Sequence, residues 1–72
     1  MNAEKLIRMA NQIGAFFEAM PDHAEAVGGV ANHLRRFWEP RMREDLLRHL
    51  AAQGDAALKP VVREAVALLR DG

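Results

Sequence analysis

Residues 33–50 read HLRRFWEPRMREDLLRHL, a run of good helix formers with a proline near its middle. Proline is excluded from a helix interior because it lacks an amide hydrogen and its ring collides with the preceding turn. The first turn of a helix accommodates it, since the amide there would be unpaired in any case. The run therefore predicts that one helix ends near Trp38 and that the next begins at Pro40, with almost no connecting chain.

The rest of the chain carries the signals of two further helices. Asn2 is placed to cap a first helix that Pro21 stops, and Asp22 opens the second with the spacing of a capping box. Gly54 is a candidate C-terminal cap and Pro60 a candidate first-turn residue. Alternating strand patterns are missing. The sequence predicts an all-α fold, a small bundle of four helices over about residues 3–20, 23–38, 40–53 and 60–70.

Each predicted helix has an apolar stripe at helical spacing. The stripe positions are Leu6, Met9, Ile13, Phe16, Phe17 and Met20, then Val27, Val30, Ala31, Leu34 and Trp38, then Met42, Leu46 and Leu50, and finally Leu58, Val62, Ala65, Val66 and Leu69. Gly14 falls outside the first stripe, and the pair Gly28 and Gly29 either admits another backbone closely or marks a bend. Val61 and Leu68 widen the last stripe, which indicates either a protein partner or an unusually buried helix.

A chain of 72 residues forms at most one domain, predicted here as a single helical domain over residues 1–72. So small a domain buries only about 60% of the surface that its unfolded chain exposes, and it needs very regular packing or a partner. The absence of cysteine excludes disulfides and thiolate metal sites and fits a reducing cytoplasm, the expected location. Ten basic and ten acidic residues cancel, which argues against nucleic acid or a membrane surface as a partner. No apolar run approaches the roughly 20 residues that cross a bilayer.

The chain has few groups that could perform chemistry. It contains no Ser, Thr, Cys or Tyr, so the usual nucleophiles are missing. Glu44 and Asp45 are consecutive and point about 100° apart on a helix, so they do not converge. His33 and His49 could approach each other across the corner, but two histidines without a carboxylate make a poor metal site. The sequence predicts no catalytic, cofactor-binding or metal-binding residue, and a protein that is not an enzyme.

Five of the ten basic residues lie within residues 33–49, around the proline. Three interpretations of this basic corner are open. The guanidinium groups are solvated and pair locally with Glu39, Glu44 and Asp45, or they bind nucleic acid phosphates, which zero net charge disfavours. In the third interpretation they belong to a protein interface, where Trp, Phe, Met and Arg are enriched. Phe37 then lies on the flank of its helix while Trp38 points inward.

Two motifs, MANQIGAFF at residues 9–17 and HLRRFWEPRMR at residues 33–43, closely resemble the delta subunit of NAD-dependent formate dehydrogenases. The run from Phe37 to Arg43 is similar to the signature of that family, and the likeness extends over about residues 3–70. The resemblance implies a noncatalytic accessory subunit of a cytoplasmic complex that contains molybdenum or tungsten and oxidises formate. It also implies that molybdopterin, iron–sulfur clusters, flavin and NAD are bound elsewhere in the complex and that this chain holds no cofactor.

The resemblance and the basic corner together predict that the chain docks on and stabilises the large catalytic alpha subunit. The alternative is a transient maturation factor that assists insertion of the molybdopterin cofactor into that subunit. Arg36, Arg41 and Arg43 are expected to pair with acidic groups of the partner, because the planar guanidinium matches a carboxylate. A homodimer of the isolated chain is also open. The predicted interface residues are Asn11, Gln12, His33, Arg36, Phe37, Trp38, Pro40, Arg41, Met42 and Arg43, with Phe16 and Phe17 of the first motif as further candidates.

Overall fold

A computed structural model describes residues 2–71, which form four α-helices and no strand. α1 covers Ala3–Phe17, α2 covers His23–Phe37, α3 covers Pro40–Gln53 and α4 covers Pro60–Asp71. The all-α prediction is confirmed, and so is the corner at Pro40, where only Trp38 and Glu39 separate α2 from α3. Within residues 2–71, no helix has the length and apolar character that crossing a membrane requires.

Local side-chain chemistry sets most of the helix ends. Asn2 Oδ1 accepts a hydrogen bond from the Glu4 amide (2.7 Å), and Asp22 Oδ1 accepts one from the Glu25 amide (3.1 Å). These bonds satisfy amides that the first turn of a helix leaves unpaired. Gly54 closes α3 with a φ of 86°, a left-handed conformation that glycine adopts without strain.

α1 ends earlier than predicted, at Phe17 rather than Met20. Pro21 has no amide hydrogen to donate to the carbonyl four residues before it, that of Phe17, and a residue that precedes a proline disfavours the helical conformation, so the last turn does not extend to Met20. The Phe17 carbonyl oxygen instead accepts from the Met20 amide (2.9 Å) in a tight turn. The ends of α2 and α4 each differ from the predicted ones by a single residue.

The core lies mainly where α2 packs against α4, and α1 contacts the other three helices. Most positions predicted to be buried in α2, α3 and α4 are buried. Val61 is buried as well, so burial accounts for part of the wide α4 stripe, whereas Leu68 is 46% exposed. The buried apolar residues are Leu6, Ala10, Ala26, Val27, Val30, Ala31, Leu34, Trp38, Leu46, Leu50, Leu58, Val61, Val62, Ala65 and Val66.

The stripe predicted for α1 departs most from the structure. The helix buries Leu6, Ala10 and Gly14. Phe16, which was placed in the predicted core, is 74% exposed. Gly14 lies so close to α4 that a β-carbon there would collide with Val62 Cγ2. The glycine at position 14 thus lets the α1 backbone approach α4, and Phe16 lies outside the buried face that Leu6, Ala10 and Gly14 share.

The two consecutive glycines do not interrupt α2, and the atoms nearest to them belong to a side chain rather than to another backbone. α2 runs unbroken from His23 to Phe37. The close neighbour of Gly29 is the Phe17 ring, since a β-carbon at position 29 would lie 2.5 Å from Phe17 Cδ1. A β-carbon at Gly28 would meet nothing within 4 Å. Of these two positions, packing therefore requires a glycine only at position 29, where the neighbour is the Phe17 side chain.

Candidate docking surface

Arg43 ties the Pro40 corner together from inside. Its Nη1 donates to the carbonyl oxygens of Leu34 (3.2 Å), Arg35 (3.1 Å) and Trp38 (2.8 Å). All three carbonyls lie at the end of α2: that of Leu34 also accepts from the Trp38 amide (3.3 Å), whereas those of Arg35 and Trp38 lie beyond the last helical amide. The cation also faces the negative end of the helix dipole. Arg43 is thus half-buried and used within the fold, although the sequence predicted that it would face a partner carboxylate.

The other arginines of the corner divide into two groups. Arg35 Nη2 donates to a carbonyl oxygen of α4 (3.3 Å), and Arg48 pairs with Asp45 (3.3 Å). Arg36 and Arg41 are exposed, and their side chains make no hydrogen bond or ion pair within residues 2–71. Two guanidinium groups of the corner therefore remain available to a partner.

An open groove of about 510 Å³ lies between α1 and α2. None of the described residues that line it is acidic, and the side-chain nitrogen and oxygen atoms among them belong to Gln12, His33 and Trp38. Trp38 is only 6% exposed and supports the groove from the core side. The lining residues are Met9, Gln12, Ile13, Phe16, Phe17, His33 and Trp38.

Four rings form an aromatic row along this groove, made of Phe16, Phe17, His33 and Phe37. The ring centroids are 5.1 Å apart for Phe16 and Phe17, 6.5 Å for Phe17 and His33, and 4.8 Å for His33 and Phe37. Rings at such distances attract one another, which fixes their relative positions. Both ends of the row face solvent, because Phe16 is 74% exposed and Phe37 is 70% exposed.

The contacts that hold His33 in the row are those with its aromatic neighbours, because its Nδ1 makes no hydrogen bond among the described residues. This nitrogen is buried and has no hydrogen-bond partner among the described residues, which costs roughly 1–3 kcal/mol. The sequence raised His33 and His49 as a weak metal pair. In the part of the chain that the structure describes, no three His, Cys, Asp or Glu side chains are grouped to hold a metal ion. The observed contacts of His33 are those of ring packing.

Asn11 and Gln12 are adjacent in sequence but have different surroundings. Asn11 Nδ2 donates to the Ala57 carbonyl oxygen (3.0 Å), and its Oδ1 accepts from the Lys59 amide (3.0 Å). Both ends of the Asn11 amide are therefore used to hold the connection between α3 and α4. Gln12 is exposed and lines the groove.

We define the docking surface as the groove together with Arg36, Phe37 and Arg41. Arg36 follows His33 by three residues, so these two side chains are neighbours on the surface of α2. Arg41 stands in the first turn of α3, just beyond Trp38. Pro40 is exposed at the corner, and Met42 is half-buried against the core. The docking surface includes eight of the residues proposed for an interface, namely Gln12, Phe16, Phe17, His33, Arg36, Phe37, Trp38 and Arg41.

Two groove residues, Met9 and Ile13, were predicted only as positions of the apolar stripe of α1. An apolar residue at helical spacing looks the same whether it faces the core or an exposed groove, so the spacing could not assign these two side chains to the groove. The motif at residues 9–17 contains both and was the available signal.

Comparison with protein families bears on this surface. A family model described as the NADH-dependent formate dehydrogenase delta subunit, FdsD, matches residues 5–66 of the 72. The chain belongs to this family. The matched range includes the whole docking surface of the FdsD chain. As a subunit of formate dehydrogenase, an FdsD chain associates with other subunits of that complex. Searches of curated proteins and of solved structures gave no match.

Proposed function

We propose that this delta subunit is a noncatalytic accessory subunit that docks on the large catalytic subunit through the docking surface and stabilises it there. The observation that carries the proposal is the pair of phenylalanine rings, Phe16 and Phe37, that stay exposed at the two ends of the aromatic row. Burying one such side chain contributes about 1.5–3 kcal/mol. A contact with a partner would therefore recover free energy that the isolated fold leaves unused.

The two unpartnered guanidinium groups support the same proposal. Arg36 and Arg41 are exposed beside an apolar groove, an arrangement typical of an interface with an apolar centre and a polar rim. Arginine can bind a carboxylate through two parallel hydrogen bonds, which fixes orientation. Charges at a rim contribute more to the association rate and to specificity than to affinity. We therefore assign anchoring to the two phenylalanines and orientation to the two arginines.

We also propose that the cofactors of the complex are held by its other subunits. Iron–sulfur clusters are bound by cysteine thiolates, and this chain has no cysteine. The proposed role of the FdsD chain is therefore to stabilise the large catalytic subunit, and electron transfer is assigned to the other subunits.

The test is copurification with an affinity-tagged large subunit after coexpression. The double variant Phe16→Ala with Phe37→Ala is expected to weaken binding at least about 100-fold, because exposed aromatic anchors often act as hot spots. The isolated variant should keep its helical circular dichroism, since both rings project from the fold. Leu68→Ala removes an exposed apolar side chain from α4, outside the groove, and serves as the matched control. Undiminished copurification of the double variant would exclude the groove as the binding site.

A second test uses the two consecutive glycines of α2. Gly29→Ala is expected to displace the Phe17 ring and so to reshape the groove, lowering affinity for the large subunit by about tenfold. Gly28→Ala makes the same chemical change one residue away, where the added carbon meets nothing within 4 Å. Its affinity should equal that of the original chain. Titration of both variants against the tagged subunit measures this contrast, and equal affinities would show that the Phe17 ring does not shape the binding site.

A second candidate function is that of a transient maturation factor. The observation that favours it is again the free pair Arg36 and Arg41, because guanidinium groups bind phosphate as well as carboxylate. Subunit stoichiometry in the purified active complex separates the two candidates. An accessory subunit is present at a fixed ratio to the large subunit, whereas a maturation factor leaves once the cofactor has been inserted.

A further inference from the structure

We infer that the occupant of the groove is a single amphipathic helix of the large catalytic subunit. Its apolar side chains, spaced three or four residues apart, lie between Phe16 and Phe37, and a carboxylate on the same helix pairs with Arg36. This inference rests on the proposed function and specifies the kind of segment that is recognised.

The walls of the groove exclude recognition through a sheet edge. Residues 2–71 contain no strand, so the chain offers no edge to which an extended segment could add. The groove wall on α1 runs from Met9 to Phe17, about two turns or roughly 12 Å of helix. A helix packed alongside this wall would meet it over about two turns of its own apolar face.

The distribution of charge indicates the acidic character of the occupant. The described lining residues carry no carboxylate, so nothing in the groove competes for Arg36. Glu39 is three residues away and exposed, yet it forms no ion pair with Arg36 in the described chain. Gln12 is exposed in the opposite wall and makes no side-chain hydrogen bond within residues 2–71, which leaves its amide free for a polar group of the occupant.

Photocrosslinking in the coexpressed complex identifies the occupant. A benzoyl-substituted phenylalanine replaces Phe37 in one variant and Gln12 in a second, so the result does not depend on one position. We expect both to crosslink to the same stretch of the large subunit, and that stretch to carry apolar residues at helical spacing with Asp or Glu within one turn. The same probe at Leu68 is the control and should not label that stretch.

Charge reversal tests the ion pair. Arg36→Glu is expected to weaken copurification at least tenfold, and replacing the crosslinked carboxylate of the large subunit with arginine should restore it. Arg70→Glu reverses an exposed charge at the end of α4 and should have no effect. A complex that forms but gives crosslinks to a stretch without helical spacing or without a carboxylate overturns the inference and leaves the proposed function standing. Crosslinks to a second copy of this chain also overturn it. Failure of the unmodified chain to bind the large subunit overturns the proposed function itself.

Discussion

Gly14→Ala is expected to lower the free energy of unfolding by about 2 kcal/mol, although alanine is the better helix former. The added β-carbon would collide with Val62 Cγ2 and press on Val61 Cγ1 at 3.2 Å. Val62 is completely buried, so its short, stiff side chain has little space in which to move. Overpacking typically costs about 1–3 kcal/mol, and a collision with a completely buried side chain belongs at the upper end of that range. Subtracting the roughly 1 kcal/mol that replacing a helical glycine gains leaves a net loss of about 2 kcal/mol.

Gly28→Ala is the matched control, since it makes the same substitution inside a helix of the same length. It should raise the free energy of unfolding by about 1 kcal/mol, because nothing lies near the new carbon. Urea unfolding of the isolated chain measures both variants, and a contrast of about 3 kcal/mol is expected between them. Equal stabilities would show that α1 and α4 do not meet closely at Gly14.

Arg43→Ala is expected to lower the free energy of unfolding by about 2 kcal/mol. The change removes three hydrogen bonds from a charged donor to the end of α2, and such bonds contribute about 1.5–3 kcal/mol each when well formed. A single nitrogen donates all three hydrogen bonds, and the carbonyls freed by the substitution lie near the surface, where they can bind water. The total loss of stability therefore stays near the lower end of this range. Loss of the cation at the helix C-terminus contributes in the same direction.

Arg41→Ala is the control, two residues away on the same helix, and should leave the unfolding transition unchanged because the side chain has no partner within residues 2–71. The two variants should also differ in the complex. Arg41→Ala is expected to weaken binding to the large subunit in the stably folded chain, whereas Arg43→Ala should act through the stability of the corner. An Arg43→Ala chain with an unchanged urea midpoint would contradict the role assigned to this side chain. The double variant Arg41→Ala with Arg43→Ala would combine the two effects, so the single variants are compared.

The helix boundaries were largely predictable because they depend on neighbours in sequence. Asn2 and Asp22 bond to amides within three residues, and Pro40 and Gly54 act through the backbone angles and hydrogen-bonding groups at their own positions. The early end of α1 at Phe17 follows from an equally local rule about the carbonyl four residues before a proline. The motif that suggested the formate dehydrogenase delta subunit is likewise contiguous, and the family match over residues 5–66 confirms that resemblance.

The docking surface depends on contacts between distant parts of the chain. Phe16 and Leu6 are both apolar residues of α1, yet one is 74% exposed and the other completely buried, because the close contact at Gly14 sets which way the helix faces. Arg41 and Arg43 stand two residues apart in one motif, yet only Arg43 reaches the carbonyls of α2. The composition of a helix and the spacing of its apolar residues do not show which of its faces packs against the core. They identified the helices and the family, whereas the packing of α1 against α4 and the fold at Pro40 selected which side chains remain free to meet a partner.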